Sequence, residues 1–204
     1  MRPPVYFVRH GQSEWNVLRL TQGQTTHPTL TALGREQAAG AAEAVATDLA
    51  RFGLPAARLV TSDLVRAVET AQILGARIGV VPGLDARLRE QHLGELEGLS
   101  YEESWARADL HDWSDAELPL PGGESVGQLR RRLAAVLAEL SPVTPTVLVS
   151  HGDAMRSGMA HLLGQSRTAP WVQVPNGSVA RYTGEIEWLP CSRDVTTLRV
   201  RPVI

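Results

Sequence analysis

The chain has 204 residues, of which 43% are hydrophobic, and a formal net charge of −2 at neutral pH. This size and composition predict one domain with a substantial core, and the charge argues against a general nucleic-acid binder or a strongly basic membrane-surface protein. All 20 basic residues are arginine, so lysine is absent as a Schiff-base former or a P-loop phosphate ligand.

Cys191 is the only cysteine, which excludes an intrachain disulfide and a cysteine-based zinc finger. Since nothing in the neighbouring sequence activates this thiol, we expect it to be buried and inert. No apolar run approaches the roughly 18 residues of a membrane-spanning helix, and no signal-peptide pattern precedes the first strand. We therefore expect a cytoplasmic protein with no membrane partner.

Strand and helix patterns alternate along the chain, which predicts an α/β fold with a largely parallel sheet. Short apolar runs predict strands at 5–8, 57–61, 80–81, 146–150, 179–182, 186–189 and 197–203. We expect the last three of these strands to be antiparallel.

Apolar residues at helical spacing predict longer helices between these strands. The first follows a capping Thr31, and we expect its inner face to carry Leu33, Ala38, Ala41, Val45 and Leu49. The second starts at Ser62-Asp63 and ends before Gly79. Another begins at a capping box formed by Ser125 and Gln128. The last passes through Met155, Met159 and Leu163.

The stretch 85–123 differs from the rest of the chain because it is polar, rich in tryptophan and glutamate, and poor in aliphatic runs. It predicts a long excursion with one or two short helices around 101–110, a pattern typical of lids and binding loops. In the helix that follows, Arg130, Arg131 and Arg132 are interpreted as a solvated face.

Two strands are followed by the same dipeptide, His10-Gly11 after the first and His151-Gly152 after the strand at 146–150. Ligands bind at the carboxyl ends of strands in open α/β sheets, so parallel neighbours would point both imidazoles into one crevice. Histidine is also a common metal ligand, so two neighbouring histidines suggest a metal site as an alternative. However, the chain has neither a His-x-x-x-His spacing nor an acidic cluster to complete such a site, and we expect no metal.

Three further residues are candidates for this crevice. Arg9 precedes His10, and Arg66 lies within the first turns of a helix that follows a strand. Glu90 lies in the excursion. Taken singly, these residues are ordinary strand-end, helix-surface and loop side chains. Together they offer cations for a phosphate and a carboxyl group for proton transfer.

The combination resembles the histidine phosphatase superfamily, in its phosphoglycerate-mutase-like branch, almost from end to end of the chain. The matching elements are Arg9-His10-Gly11 with Asn16, Leu30-Thr31 with Gly34, Ser62-Asp63 with Arg66, Ala67, Thr70 and Ala71, Leu88-Arg89-Glu90, His92, Gly94, Glu97-Gly98, Gly123-Glu124-Ser125 and Ser150-His151-Gly152. The resemblance implies a three-layer α/β/α sandwich with a mostly parallel central sheet, formed by a single domain with a lid at about 85–123.

The resemblance also implies roles for the candidate residues. His10 would form a phosphohistidine, with Arg9, Arg66 and a protonated His151 around the phosphoryl group. Glu90 would protonate the leaving alkoxide and then activate water, which requires a raised pKa. His10 must attack as the neutral imidazole, held by a hydrogen bond from its other ring nitrogen to the following loop. The substrate-binding positions implied by the resemblance are Ser13, Asn16, Gln22, Gly23 and Gly152.

Members of this superfamily either transfer the phosphate within a substrate or give it to water. Here Gln22-Gly23-Gln24 stands where mutases have Thr-Gly-Trp, Tyr101 where they have lysine, and Leu93 where they have tyrosine. The mutase insertion before Gly123 is also missing. These four departures favour a phosphatase. The segment 88–94 is most similar to glucosyl-3-phosphoglycerate phosphatases, and mutase activity stays the alternative.

The expected partner is a small phosphate monoester, with a phosphorylated sugar or glycerate derivative as the candidate and no cofactor. Lid aromatics such as Trp105 and Trp113 either stack on a sugar or pack the lid onto the domain. Asp153 either caps a helix or contacts substrate. A non-catalytic phospho-ligand-binding domain is the alternative from another functional class, and assembly as a homodimer is left open.

Overall fold

The computed structural model describes residues 3–54, 58–165 and 173–191. Within these ranges six strands form one sheet, namely β1 (Val5–Arg9), β2 (Arg58–Thr61), β3 (Gly83–Leu84), β4 (Thr146–Ser150), β5 (Val179–Tyr182) and β6 (Ile186–Leu189). Their order across the sheet is β3-β2-β4-β1-β5-β6. The strands from β3 to β1 pair in parallel, and β5 and β6 complete the sheet in antiparallel pairing, as predicted.

Six α-helices accompany this sheet, α1 (Glu14–Val17), α2 (Ala32–Arg51), α3 (Val65–Ile78), α4 (Tyr101–Ala108), α5 (Val126–Ala138) and α6 (Gly152–Leu162), all within the described residues. Two of the predicted starts are confirmed by side-chain caps. Thr31 Oγ1 accepts from the amide of Gly34 at the start of α2, and Ser125 with Gln128 forms the capping box of α5. No described helix combines the length and apolar character that a bilayer crossing requires.

The helices cover both faces of the sheet. Alternate side chains of a strand point to opposite faces, and here both sets are apolar and pack against helices. Tyr6 and Val8 belong to a core cluster shared with α2 and α3. Phe7, between them in β1, belongs to a second cluster shared with α5 and α6. The chain is therefore an α/β sandwich of three layers, in agreement with the sequence prediction.

Three local predictions are wrong. Leu33 is 46% exposed: the next residue of α2, Gly34, faces the backbone of Gln12, and Leu33 lies on the outer side of the helix. The strand predicted at 80–81 lies instead at Gly83–Leu84. The amide of Val80 donates to Gly75 O and so completes the end of α3. Helix α3 begins at Val65 rather than at Ser62-Asp63. The strand predicted at 197–203 falls outside the described residues.

The stretch 85–123 lacks long elements in the structure. It contains two turns of 3-10 helix, Ala86–Leu88 and Gly94–Leu96, followed by α4. The predicted short helix around 101–110 is thus confirmed. The rest of the stretch is held by loops and turns, and this matters for the site because Glu90 lies between the two turns.

The pairing of β1 with β4 places the two His-Gly sequences side by side. Arg9 is the register partner of Ser150, so the residues that follow each strand leave the sheet at the same edge. The amide of His10 then donates to Ser150 O at 3.0 Å. The two imidazoles therefore meet at the carboxyl ends of neighbouring parallel strands, the edge at which the sequence predicts a crevice.

Candidate active site

His10 lies at the floor of this crevice and is 2% exposed. Its Nδ1 lies 2.7 Å from Gly11 O. Because a carbonyl oxygen only accepts, Nδ1 carries the hydrogen and Nε2 keeps its lone pair. Burial, followed by the charges of Arg66 and Arg9, lowers the pKa of His10 well below its usual value. The ring is therefore a neutral imidazole, as the sequence predicts for a nucleophile.

Close packing of the backbone explains why position 11 is a glycine. A Cβ at this position would lie 2.0 Å from Gly34 O. The loop after β1 therefore crosses the first turn of α2 backbone to backbone. The amide of Gly11 also donates to Thr70 Oγ1 at 3.1 Å, so α2 and α3 together hold the segment that carries His10.

His151 lies beside His10, with 5.1 Å between the ring centroids, and it is fully buried. Its Nε2 lies 2.9 Å from Ser62 Oγ, and that oxygen also accepts from the amide of Leu64. A hydroxyl has one hydrogen and two lone pairs, so Ser62 is able to donate to Nε2, and when it does so the imidazole hydrogen lies on Nδ1. Nδ1 is a buried atom with no partner among the described residues, and in this tautomer it is a donor available to a ligand.

The structure gives the charge of His151 before a ligand binds. Burial, followed by the positive charge of Arg66, lowers the pKa of His151 well below its ordinary value. In the ligand-free protein this ring is neutral rather than protonated. It contributes a hydrogen-bond donor to the crevice, and the positive charge there comes from the arginines.

Arg66 is 1% exposed and is not a helix-surface residue. Its two terminal nitrogens donate to Thr25 O and Gly23 O, both at 2.8 Å. Burial lowers the pKa of Arg66 to about 10, which leaves the guanidinium charged at neutral pH. Arg9 donates from Nη1 to Val174 O, and burial lowers its pKa as well.

Glu90 is turned towards the start of α6. Its Oε1 accepts from the amides of Ala154 and Gln91 at 2.9 and 3.0 Å, and its Oε2 accepts from the amide of Asp153 at 3.1 Å. These bonds favour the carboxylate. Burial, and then the negative charge of Asp153, outweighs them and raises the pKa of Glu90. This is the direction expected for a general acid.

Gly152 lies between the acid and one of the cations. A Cβ on Gly152 would lie 3.6 Å from Glu90 Oε2 and 3.7 Å from Arg9 Cζ. Residues from the excursion, from β1 and from the start of α6 therefore meet at one point. The structure brings together all five residues to which the sequence assigned catalytic roles.

The loop after β1 brings the predicted substrate-binding residues together. Ser13 Oγ lies 3.0 Å from Asn16 Oδ1 and 2.8 Å from Gln22 Oε1. Gly23 adopts a positive φ of 47°, and its carbonyl holds Arg66. A Cβ at Gly23 would overlap Glu97 Oε1, at 2.2 Å. This glycine thus lets Glu97 brace the loop, and Gln24 N donates to the same carboxylate oxygen at 2.9 Å.

Three aromatic side chains of the excursion make contacts in the structure. Tyr101 stacks on Trp105 with 5.7 Å between the ring centroids, and Asn16 Nδ2 donates to the Tyr101 hydroxyl at 3.4 Å. Trp113 Nε1 donates to Ala108 O at 2.8 Å. Trp105 and Trp113 remain 59% and 48% exposed, so these contacts stabilise the excursion locally. The described residues contain no group of three or more histidine, cysteine, aspartate or glutamate side chains that could hold a metal ion.

Residues 5–187 match the family model of the histidine phosphatase superfamily, branch 1. The chain belongs to this superfamily. It is also 35% identical over 196 residues to a probable phosphoglycerate mutase GpmB of Salmonella paratyphi C, a match that covers 91% of this chain and 87% of that protein.

Solved structures of similar proteins come from both activities of the superfamily. A mycobacterial glucosyl-3-phosphoglycerate phosphatase in complex with VO3 is 34% identical, with a TM-score of 0.76 over 93% of this chain and 97% of the other. A phosphoglycerate mutase from Thermus thermophilus is 29% identical, with a TM-score of 0.68 over 93% and 99%. The same mycobacterial phosphatase has also been solved with inorganic phosphate, at 33% identity and a TM-score of 0.73 over 93% and 96%.

Sequence reasoning missed two residues that support the site of this superfamily member. Asn176 Nδ2 donates to His10 O at 3.2 Å and to Asn16 Oδ1 at 3.3 Å. Ser62 orients His151 through its hydroxyl. Ser62 stands in a matched motif directly after a strand, a position that could have marked it. Asn176 lies in a loop whose sequence carries no comparable signal.

The prediction of a solvated arginine face on α5 is also wrong in part. Arg131 is exposed, but the side chain of Arg132 is only 18% exposed. It donates to the carbonyls of Arg87, Arg89 and Glu90. Charge alone does not reveal this, because three consecutive arginines look equivalent in the sequence.

Proposed function

We propose that this chain is a metal-independent phosphomonoesterase that works through a phosphohistidine on His10. Arg9, Arg66 and the Nδ1–H of His151 bind the transferred phosphoryl group, and Glu90 acts as general acid and then as general base. The substrate is a small phosphate monoester bound at the loop of Ser13, Asn16, Gln22 and Gly23, with the excursion at about 85–123 as its lid.

In the first step, Nε2 of His10 attacks phosphorus and the bond from phosphorus to the ester oxygen breaks. The leaving alkoxide takes the proton of Glu90, which becomes a carboxylate. Charge on the equatorial oxygens is held by two arginine forks and the imidazole donor. Phosphoryl transfer depends mainly on such positioning and charge stabilisation.

In the second step, water attacks phosphorus and the phosphorus–nitrogen bond breaks. The Glu90 carboxylate accepts the water proton, and the departing Nε2 recovers its lone pair. Inorganic phosphate leaves, and the neutral His10 and protonated Glu90 are regenerated. Atoms and protons balance without another reactant.

The observation that carries the proposal is the state of His10. Its Nδ1–H is held by Gly11 O, and its pKa is lowered by burial and two cations, so a neutral nitrogen faces a cationic crevice. Glu90 supports the assignment because it is the carboxyl group in that crevice whose pKa is raised. The similarity to a phosphatase solved with VO3 and with phosphate supports the substrate class.

Phosphoglycerate mutase activity is the second candidate, favoured by the 35% identity to a probable mutase. Against it stand the residues that replace mutase positions in this chain. Gln22 binds Ser13, and Tyr101 is occupied by its contacts with Asn16 and Trp105. Neither offers the cation that the mutase lysine supplies.

The test is hydrolysis of p-nitrophenyl phosphate and a panel of phosphorylated sugars and glycerates, with EDTA present. We expect phosphate release that survives the chelator. Absence of turnover on every ester would refute the proposal, and loss of activity with EDTA would refute metal independence. Efficient interconversion of 3- and 2-phosphoglycerate in the presence of 2,3-bisphosphoglycerate would establish the mutase instead.

A further inference from the structure

We propose that Arg132 and Glu124 form a clamp that positions the general acid Glu90. The clamp supports proton transfer by Glu90 and not the attack of His10 on phosphorus. The inference rests on the proposed role of Glu90. Neither residue touches the crevice through its own side chain in the described contacts. Both are positioning residues that act through the backbone around Glu90.

Arg132 holds the backbone up to and including Glu90. Its Nη1 donates to the carbonyls of Arg87 and Arg89, and its Nη2 donates to the carbonyl of Glu90, each at 2.7 Å. A guanidinium offers donors in a rigid planar fork, so one side chain fixes several carbonyls at once. Gln24 Nε2 adds a second donor to Glu90 O at 3.0 Å.

Glu124 holds the backbone that follows Glu90. Its Oε1 accepts from the amide of His92 at 2.9 Å, and its own amide donates to His92 O at 2.8 Å. Its carbonyl accepts from Gln91 Nε2 at 3.2 Å. Oε2 accepts from Arg132 Nε at 3.1 Å. The two clamp residues thus form an ion pair with side chains only 18% and 15% exposed.

The clamp matters because the segment around Glu90 has no regular structure to hold it. The residue lies between two turns of 3-10 helix, so neither a ladder nor a long helix fixes its backbone. The carboxylate is fixed from the other side by the amides of Asp153 and Ala154 in α6. Helix α5 therefore holds the main chain of the acid and α6 holds its side chain.

The neighbouring Arg131 provides a matched control. It stands one position earlier on α5 and also pairs with a glutamate, Glu117, through Nη1 at 2.8 Å. Its side chain is 62% exposed and that of Glu117 is 53% exposed. The residue types are the same, but this pair contacts neither Glu90 nor its flanking backbone in the described contacts.

The readout is the ratio of kcat/KM for an alkyl ester, β-glycerophosphate, to kcat/KM for p-nitrophenyl phosphate. Because kcat/KM covers the steps up to departure of the leaving group, it excludes the later attack by water, in which Glu90 serves both esters alike. Departure of an alkoxide needs a proton, whereas p-nitrophenolate needs little help. A displaced acid lowers this ratio, but general damage to the site lowers both rates alike. We expect Arg132→Met to lower the ratio about 10-fold or more, part of what a general acid contributes. Arg131→Met should leave the ratio unchanged.

Two further variants keep the test decisive if Arg132→Met fails to fold, as judged by circular dichroism. Glu124→Gln removes the charge that orients the fork and should lower the ratio in the same direction. Arg132→Lys keeps a cation that donates to fewer carbonyls, and should restore the ratio in part. In a Glu90→Gln background, Arg132→Lys should cause no further loss of ratio, because the acid is already gone.

Folded clamp variants that keep the wild-type ratio would overturn the proposed clamp. A further loss of the ratio when a clamp variant is combined with Glu90→Gln would overturn it as well. If Glu90→Gln itself leaves the ratio unchanged, the general-acid role fails and the clamp fails with it. A ratio lowered by Glu90→Gln but by none of the clamp variants refutes the clamp alone.

Discussion

His10 and His151 follow adjacent parallel strands and are 2% and 0% exposed, whereas Glu90 follows a single turn of 3-10 helix in a segment without strands. The strand side of the site is held by the sheet ladder and by packing on both of its faces. The acid side is held by side chains that donate to or accept from its backbone. The position of the two histidines is therefore fixed by the sheet, whereas the position of Glu90 depends on a few polar contacts.

This difference predicts how substitutions on each side will fail. Changes on the strand side should remove chemistry that every substrate needs. Changes on the acid side should lower kcat/KM, which covers the steps up to departure of the leaving group, only for esters with poor leaving groups. The two sides should therefore differ in how strongly the loss of activity depends on the leaving group.

The largest expected effect is that of His10→Ala. We expect this variant to lose about 10⁴-fold or more of kcat on alkyl and aryl esters alike, because removal of a nucleophile stops the pathway itself. Steady-state assays with both ester types, and circular dichroism to confirm folding, check the prediction. Residual activity near the wild-type rate on either ester would place the nucleophile elsewhere.

The next effect is that of Glu90→Gln, and it should depend on the substrate. An alkyl ester should lose about 10² to 10⁴ in kcat/KM, the usual contribution of a general acid. A p-nitrophenyl ester should lose far less, because its leaving group departs as the anion. Equal losses on both esters would remove the general-acid assignment, while leaving the nucleophile untouched.

Ser62→Ala should have an intermediate effect on the strand side. It leaves His151 Nε2 and the amide of Leu64 without their shared partner, and a buried unpaired group costs about 1–3 kcal/mol of stability. The tautomer of His151 also loses its constraint. We expect kcat to fall about 10-fold on alkyl and aryl esters equally, the scale of one lost hydrogen bond.

Nitrogen NMR of labelled histidine separates the positioning role of Ser62 from a purely structural one. In the wild type, His151 should be protonated on Nδ1 and not on Nε2, and in Ser62→Ala the two forms should mix. Ser62→Thr keeps the hydroxyl and should retain the wild-type tautomer. An unchanged tautomer in Ser62→Ala would contradict the proposed constraint.

The smallest effect is a shift in the pH profile for an alkyl ester. The rate requires protonated Glu90, and its raised pKa keeps it protonated to higher pH, so the rate falls as pH rises through that pKa. Asp153→Asn removes one cause of the raised pKa. In Asp153→Asn, the fall in rate at alkaline pH should therefore occur at lower pH than in the wild type, with the maximal rate unchanged. The control Glu117→Gln should leave this alkaline limb of the profile in place. A limb that moves to higher pH would contradict this assignment of charges.

The same contrast explains what the sequence predicts and what it does not. Val5–Arg9 and Thr146–Ser150 are short, apolar and bounded by His-Gly, so periodicity locates both the strands and the residues at their ends. Residues such as Arg132 carry no such pattern. A charged side chain on a helix is normally solvated, and only the tertiary arrangement turns it towards buried carbonyls.

Misplaced elements have the same origin. Val80 and Val81 have high strand propensity, but the end of α3 uses the amide of Val80, and the pairing with β2 falls to Gly83 and Leu84. Propensity yields wherever a local hydrogen bond competes for the same backbone. The neutral ring of His151 in the ligand-free protein has a related origin, since burial beside Arg66 is not visible in the sequence.

The central claim is that the phosphoryl group is captured on His10, and trapping that intermediate tests it most directly. Enzyme mixed with radiolabelled phosphate ester in the presence of EDTA is quenched in alkali within a turnover and analysed by peptide mapping. We predict a label that is stable in alkali, lost in acid, confined to the peptide containing His10 and absent from His10→Ala. Turnover without a labelled enzyme, or a label on another residue, would contradict the account.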